Sequence, residues 1–138
     1  MRNDFRLSRM LHVLVHLHGR KGAASSEEIA TMLDTNPVLV RRMMAGLRTA
    51  GYVNSTGGRG GGWTLAADPD TITVLDVYRA LEEPVIFAIG PSVDHPGCAA
   101  EEAMTGTLNV ALAQAAGHLM RQFGEIRLSA FLPPARPG

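Results

Sequence analysis

Two strand-type segments, Tyr52-Val53-Asn54-Ser55 and Trp63-Thr64-Leu65-Ala66, flank Thr56–Gly62, a loop that holds five glycines and Arg59. They follow directly on a helical segment that ends at Gly51. Short apolar segments on either side of a glycine-rich loop predict an antiparallel hairpin. A helix running straight into a hairpin is the arrangement of a winged helix. The same glycine run does not read as a dinucleotide-binding fingerprint. That motif follows a strand and opens a helix with an acid downstream; here strand-type sequence follows.

The segments upstream agree with the hairpin. A first helix is predicted over about residues 4–18, with Phe5, Met10, Leu11, Leu14, Val15 and Leu17 on its apolar face. Gly19 stops it, and Arg20-Lys21-Gly22 makes a polar turn. Ser25 with Glu28 reads as a capping box. It opens a short helix with Ile29, Met32 and Leu33 as its core side. Asp34-Thr35-Asn36-Pro37 breaks that helix and starts another, with Asn36 as N-cap and Pro37 at the first helical position. The third helix runs to Ala50, with Gly51 as its C-cap. Its core side is Leu39, Val40, Met43 and Leu47. Two short helices joined by a tight turn form a helix-turn-helix.

Downstream, Asp68-Pro69-Asp70 predicts a turn and Thr71-Ile72-Thr73 a short strand. Thr73 caps a helix over residues 74–82. Pro84, Pro91 and Pro96 mark a linker. A long helix over about residues 99–123 places Met104, Leu108, Ala111, Leu112, Ala115, Leu119 and Phe123 three or four apart. It would span roughly 35–40 Å. So small a domain cannot cover so long an apolar face, and the same helix of a second subunit is its expected cover. Ile126, Leu128, Phe131 and Leu132 are expected to fold back as a cap. The expected fold class is therefore mainly α with a small β-hairpin wing, a winged helix-turn-helix plus a long C-terminal dimerisation helix. Its parts are a winged helix-turn-helix at residues 1–82, a linker at 83–98, and a dimerisation helix with its cap at 99–132.

The charge follows this division. The 13 basic and 13 acidic residues cancel. Up to Trp63, however, nine basic residues face four acids, a balance of +5; beyond it, four face nine, a balance of −5. This points to a basic functional face on an otherwise acidic protein. Twelve of the basic residues are arginine, which forks onto phosphates and guanine edges better than lysine. Genomic base composition produces the same bias.

Other classes are excluded or disfavoured. An apolar fraction of 46% is too high for intrinsic disorder. Cys98 is the only cysteine, so neither an intrachain disulfide nor a Cys-rich zinc site is possible. No apolar run is long enough to span a membrane. His12 and His16 interrupt Leu7–Leu17, and no signal-peptide cleavage site follows, so a cytoplasmic location is expected. No G-x-S-x-G, H-E-x-x-H or P-loop motif appears, and an enzyme is not expected.

The candidate DNA contacts are Arg41 and Arg42 in the N-terminal half of the third helix, with Asn36 at its start. In a helix-turn-helix, these positions meet base edges. Arg59 at the wing tip would suit a narrow minor groove. Ser25 and Ser26 sit at a helix N-terminus that favours phosphate, although capping alone also explains them. Arg6, Arg9 and Arg48 are plausible phosphate contacts. His12 and His16 stand at i and i+4, a spacing that chelates metals and that also reads as an exposed helix face. His95 lies near Cys98 at the start of the long helix. A helix N-terminus and an imidazolium both favour a thiolate, so these two residues form a possible sensor. A small residue without redox role is the plainer reading of Cys98.

Together, Ile29-Ala30, Leu47-Arg48-Thr49-Ala50-Gly51-Tyr52-Val53, Gly60-Gly61-Gly62-Trp63-Thr64-Leu65 and Ile72-Thr73-Val74-Leu75-Asp76-Val77 resemble the Rrf-type family of bacterial winged helix-turn-helix regulators, the IscR, NsrR and CymR group. The resemblance covers about residues 4–132. It implies a homodimer, built on the long helix, that binds palindromic operators. Iron–sulfur members carry three clustered cysteines where this chain has Cys98 alone. The chain therefore resembles the cluster-free branch, in which Asn/His-Pro-x-Cys leads into the long helix, and no cofactor is expected. Members with a cluster often place the wing arginine where this chain has Gly57. The positions held by Glu-Gln in IscR are Arg41-Arg42 here, which implies a different operator.

The expected function is sequence-specific DNA binding by a homodimeric transcription regulator, a repressor, with a redox or small-molecule signal entering near Cys98. The alternative is a winged-helix module that binds a regulatory partner protein rather than DNA. A catalytic role for Cys98 would need a base and an orienting group that the sequence does not show.

Overall fold

A computed structural model describes residues 4–87, 89, 94 and 97–133. In chain order its elements are α1 (Arg6–Gly19), α2 (Ser26–Leu33), α3 (Pro37–Thr49), β1 (Val53–Thr56), β2 (Gly62–Leu65), α4 (Val74–Ala80) and α5 (Ala99–Glu125), followed by a 3-10 turn at Leu128–Phe131. The predicted first five elements are all present, in order.

The core sits where α1, α2, α3 and the hairpin converge. Met10, Val13 and Leu14 of α1 meet Val40, Met44 and Leu47 of α3, and Val53 closes the wing side; all are fully buried. Burying each such side chain contributes about 1.5–3 kcal/mol, so this apolar cluster sets the angle between the helices. The turn between α2 and α3 is tight because Asp34 takes a left-handed conformation (φ 53°) as the C-cap of α2. Two residues later the Asn36 side chain accepts a hydrogen bond from Leu39 N–H, which restarts the helix, with Pro37 in its first turn. Gly51, at φ 88°, ends α3 with the left-handed residue that a glycine C-cap supplies. Tyr52 N–H then donates to Leu47 O, turning the chain into β1.

The hairpin is antiparallel, with Val53 opposite Leu65 and Ser55 opposite Trp63. It has a third participant that sequence patterning did not suggest. Ala24, just before α2, pairs with Trp63 through both backbone hydrogen bonds, at 3.0 and 2.8 Å. A single residue carries no alternation, so this pairing leaves no periodic signal.

Two further expectations take a different form. Thr71-Ile72-Thr73 is not a strand of its own. Thr73 forms an isolated bridge with Arg127, Leu128 N–H donates to Ile72 O, and Val74 N–H donates to Ile126 O. The segment after α5 thus folds back as expected, and fully buried Leu128 carries it into the core. The complete capping box lies at Thr73 and Asp76, each side chain satisfying the other's backbone N–H. At Ser25 only half of the box forms. Ser25 Oγ accepts from Glu28 N–H, while the Glu28 carboxylate also reaches Arg20. α4 ends at Ala80, two residues early, because Glu82 and Glu83 both take positive φ while Tyr78 Oη donates to Pro84 O at 2.6 Å.

Candidate nucleic-acid interface

α3 buries Val40, Met43, Met44 and Leu47 on one side. The same helical spacing turns Val38, Arg41, Arg42, Ala45 and Arg48 to the exposed side. The exposed arginines differ in what holds them. Arg41 Nη2 donates to Glu27 Oε1 of α2 at 3.2 Å. Arg48 Nη1 donates to Ser55 Oγ of β1 at 3.1 Å, which ties the end of α3 to the wing. Arg42 has no ion pair among the described residues. The structure therefore brings Arg41, Arg42 and Arg48 onto one surface, with Asn36 at its N-terminal edge.

The wing tip presents Arg59 between Gly58 (φ 80°) and Gly60 (φ 74°). Those left-handed flanks let the loop reverse sharply, closed by Gly61 N–H donating to Gly58 O at 3.1 Å, and they leave Arg59 exposed at the apex. The wing stem is held against the helix-turn-helix by the indole. Trp63 is nearly buried, and its Nε1 donates to Ser26 Oγ at 3.0 Å. Ser26 is thus engaged by the wing, and Ser25 by Glu28 N–H.

Arg6 stands differently from the other arginines. Its guanidinium makes three hydrogen bonds to Asp4, the shortest 2.7 Å, and its backbone N–H a fourth at 3.0 Å. These bonds hold the Asp4 carboxyl below its ordinary pKa and push the Arg6 guanidinium up. Arg6 is thus paired within the chain, although its side chain keeps 42% of its surface exposed. The Arg20–Glu28 pair, at 2.7 Å, is a contact that sequence reasoning missed; the two residues lie on separate elements with no fixed spacing.

On α5 no residue is buried. Met104 is 58% exposed and Leu108 45% exposed, and Ala111 and Ala115 are exposed too. Leu112 is half-buried. Leu119 and Phe123 turn back toward the rest of the chain, where they line a cleft with Leu7, Tyr78 and Pro84, and Phe123 lies 6.1 Å from the Tyr78 ring. Cys98 is exposed, at the N-cap position of α5. His95 lies outside the described residues. The His12 and His16 rings meet edge-on with centroids 4.6 Å apart. Among the described residues, no three His, Cys, Asp or Glu side chains gather as a metal site.

A helix-turn-helix with an arginine-tipped wing and an exposed arginine face defines the class, winged helix-turn-helix transcription regulators. The chain belongs to the Rrf2 family, described as iron-dependent transcriptional regulators, which its residues 4–133 match. It is 40% identical over 85 residues to YwnA of Bacillus subtilis, covering 61% of this chain and 62% of YwnA. It is 36% identical over 72 residues to the HTH-type transcriptional regulator CymR of the same organism, covering 52% of this chain and 51% of CymR. The chain thus spans about half to three fifths of these curated relatives. A solved structure from Lactobacillus plantarum superposes with a TM-score of 0.73 at 25% identity, over 91% of this chain and 85% of that one.

The family's description names iron, and the donor set does not fit it in a cysteine-held form. Cys98 is the single thiol of the sequence, so one protomer cannot supply three cysteine ligands.

Proposed function

We propose that the protein is a homodimeric, sequence-specific DNA-binding repressor that acts on a palindromic operator. The observation that carries this reading is the exposed face of α3. Arg41, Arg42 and Arg48 share one surface beside the Arg59 wing, while the opposite side of the helix is spent on the core. Arginine at these positions suits bidentate contacts to guanine and forks onto phosphate. In this reading residues 1–82 read DNA, 83–98 link, and 99–132 dimerise. Met104, Leu108, Ala111 and Ala115 form the exposed part of the dimer face. The chain acts without catalysis or a bound cofactor, in the cytoplasm. Among the described residues no helix is long and apolar enough to cross a membrane. The signal enters through the region of Cys98.

The test is selection of genomic fragments by the purified protein, followed by titration of a selected palindrome. Affinity should fall steeply with salt. Arg41→Ala with Arg42→Ala should lower it at least tenfold; unchanged binding would overturn the recognition-helix assignment. Cys98→Ser should abolish the response to oxidant, and an unaltered response would remove Cys98 as the point of entry. Absorbance of anaerobically purified protein in the visible range would overturn the cofactor-free reading.

A further inference from the structure

A cleft of about 670 Å³ opens between the C-terminal end of α1, the start of α2 and the chain after the 3-10 turn. Small-molecule sites commonly occupy roughly 300–1,000 Å³. The interior is hydrocarbon: Leu17, Ala24 and Ile29 are buried, and Met32 and Leu132 are half-buried at its sides. The polar groups gather at the rim, where His16, His18, Arg20 and Glu28 line the opening. Arg20 Nη2 lies 2.7 Å from Glu28 Oε2, and both side chains keep about half their surface in water. The Arg20 guanidinium is thus paired with the Glu28 carboxylate, and His16 and His18 line the same cleft. That carboxylate also accepts a long hydrogen bond from Ser25 Oγ, at 3.3 Å, but at 51% exposure it can exchange both partners for water.

We propose that this cleft binds a small apolar carboxylate, its hydrocarbon among Leu17, Ile29 and Met32 and its carboxylate on Arg20 in place of Glu28. The chemistry selects this class. The walls take hydrocarbon, and the guanidinium forms its strongest hydrogen bonds with a carboxylate. An ammonium would meet Arg20 at the opening, and an uncharged chain would leave the Arg20–Glu28 pair as it is.

The site also touches the wing. Ala24, in the cleft wall, holds both backbone hydrogen bonds to Trp63. The next wing residue, Gly62, packs so closely that a Cβ there would run into the Ala24 backbone. Occupancy that shifts Ala24 therefore shifts the wing stem. Trp63 is the only tryptophan in the chain, so its emission reports on this junction alone.

The experiment titrates octanoate, below its micellar concentration, into the full chain. Binding is read by calorimetry and the wing junction by tryptophan emission. Octanoate should bind saturably and change the emission. Arg20→Gln should weaken it at least tenfold, and Glu28→Gln, which removes the competing carboxylate, should tighten it several-fold. 1-Octanol should bind more weakly than octanoate and equally to wild type and Arg20→Gln. No saturable binding, equal affinity for octanoate and octanol, or indifference to Arg20→Gln would overturn the site. A midpoint that moves with protein concentration would assign the cleft to a second copy of the chain instead. Binding without an emission change would overturn the link to the wing.

Discussion

Arg41 Nη2 reaches Glu27 Oε1 across 3.2 Å, so one of the two leading arginines of α3 is held by the preceding helix. Both side chains are more than half exposed, and such a pair contributes roughly 0–1 kcal/mol. A phosphate or a guanine edge offers Arg41 at least as much. In the proposed function Glu27 is thus a weak internal competitor for DNA. Glu27→Gln should tighten operator binding several-fold at low salt, with the gain fading as salt rises, measured by fluorescence anisotropy. Equal affinities at all salt concentrations would place Arg41 away from DNA.

Gly46 of α3 lies against the Ala80 carbonyl, and a Cβ at Gly46 would collide with that oxygen. Helix propensity alone would make alanine better here by about 1 kcal/mol. Overpacking against backbone costs about 1–3 kcal/mol, and the steric effect should win. Gly46→Ala is expected to lower the denaturation midpoint in urea; a raised midpoint would show that α4 yields freely.

The indole bond from Trp63 to Ser26 joins the wing to α2 in a part-buried setting. Ser26→Ala leaves that donor without its partner, at a cost of about 1–3 kcal/mol. In a Trp63→Phe background the same change should cost less, since no donor remains to be stranded. A double-mutant cycle in urea reads the difference, and simple additivity would deny the bond an energetic role.

Two carboxyls carry an acid dependence. The hydrogen bonds from Arg6 hold Asp4 below its ordinary range, and Arg20 does the same for Glu28. A native pKa below the unfolded one stabilises the fold above the unfolded value, near 4. That contribution is lost as pH falls through the native value. Asp4→Asn and Glu28→Gln should each flatten stability against pH between about pH 5 and 2. Both groups are largely exposed, so the changes should be small, and curves parallel to wild type would show that neither pair forms in solution.

Leu108, 45% exposed in mid-α5, tests the assembly. Leu108→Glu should shift the sedimentation of the protein to that of a monomer. It should cost at least tenfold in affinity for a palindrome, yet leave affinity for a half-site within a few-fold. A dimer that survives the change would move the interface elsewhere.

The helix-turn-helix and the wing were legible because their signals are local. Asn36-Pro37, Gly51 and the glycines around Arg59 each act through the backbone within a few residues. The contacts that complete the site were not. Arg41 with Glu27, Arg20 with Glu28 and Ala24 with Trp63 join residues whose separation follows no period. Leu119 and Phe123 show the limit from the other side. Helical spacing placed them on the apolar stripe of α5, but only the folded chain shows that they cover Tyr78 and Pro84 rather than facing outward.

The first half of α5 has a further consequence. It runs through Thr105-Gly106-Thr107 and Asn109-Val110, weak helix formers in succession, and buries no residue. Isolated helices of that length are marginal in water. In the proposed dimer a second copy of the chain supplies that order, so helix content should itself depend on protein concentration. Diluting the protein would then cost it secondary structure as well as a neighbour, and far-ultraviolet circular dichroism would register assembly directly.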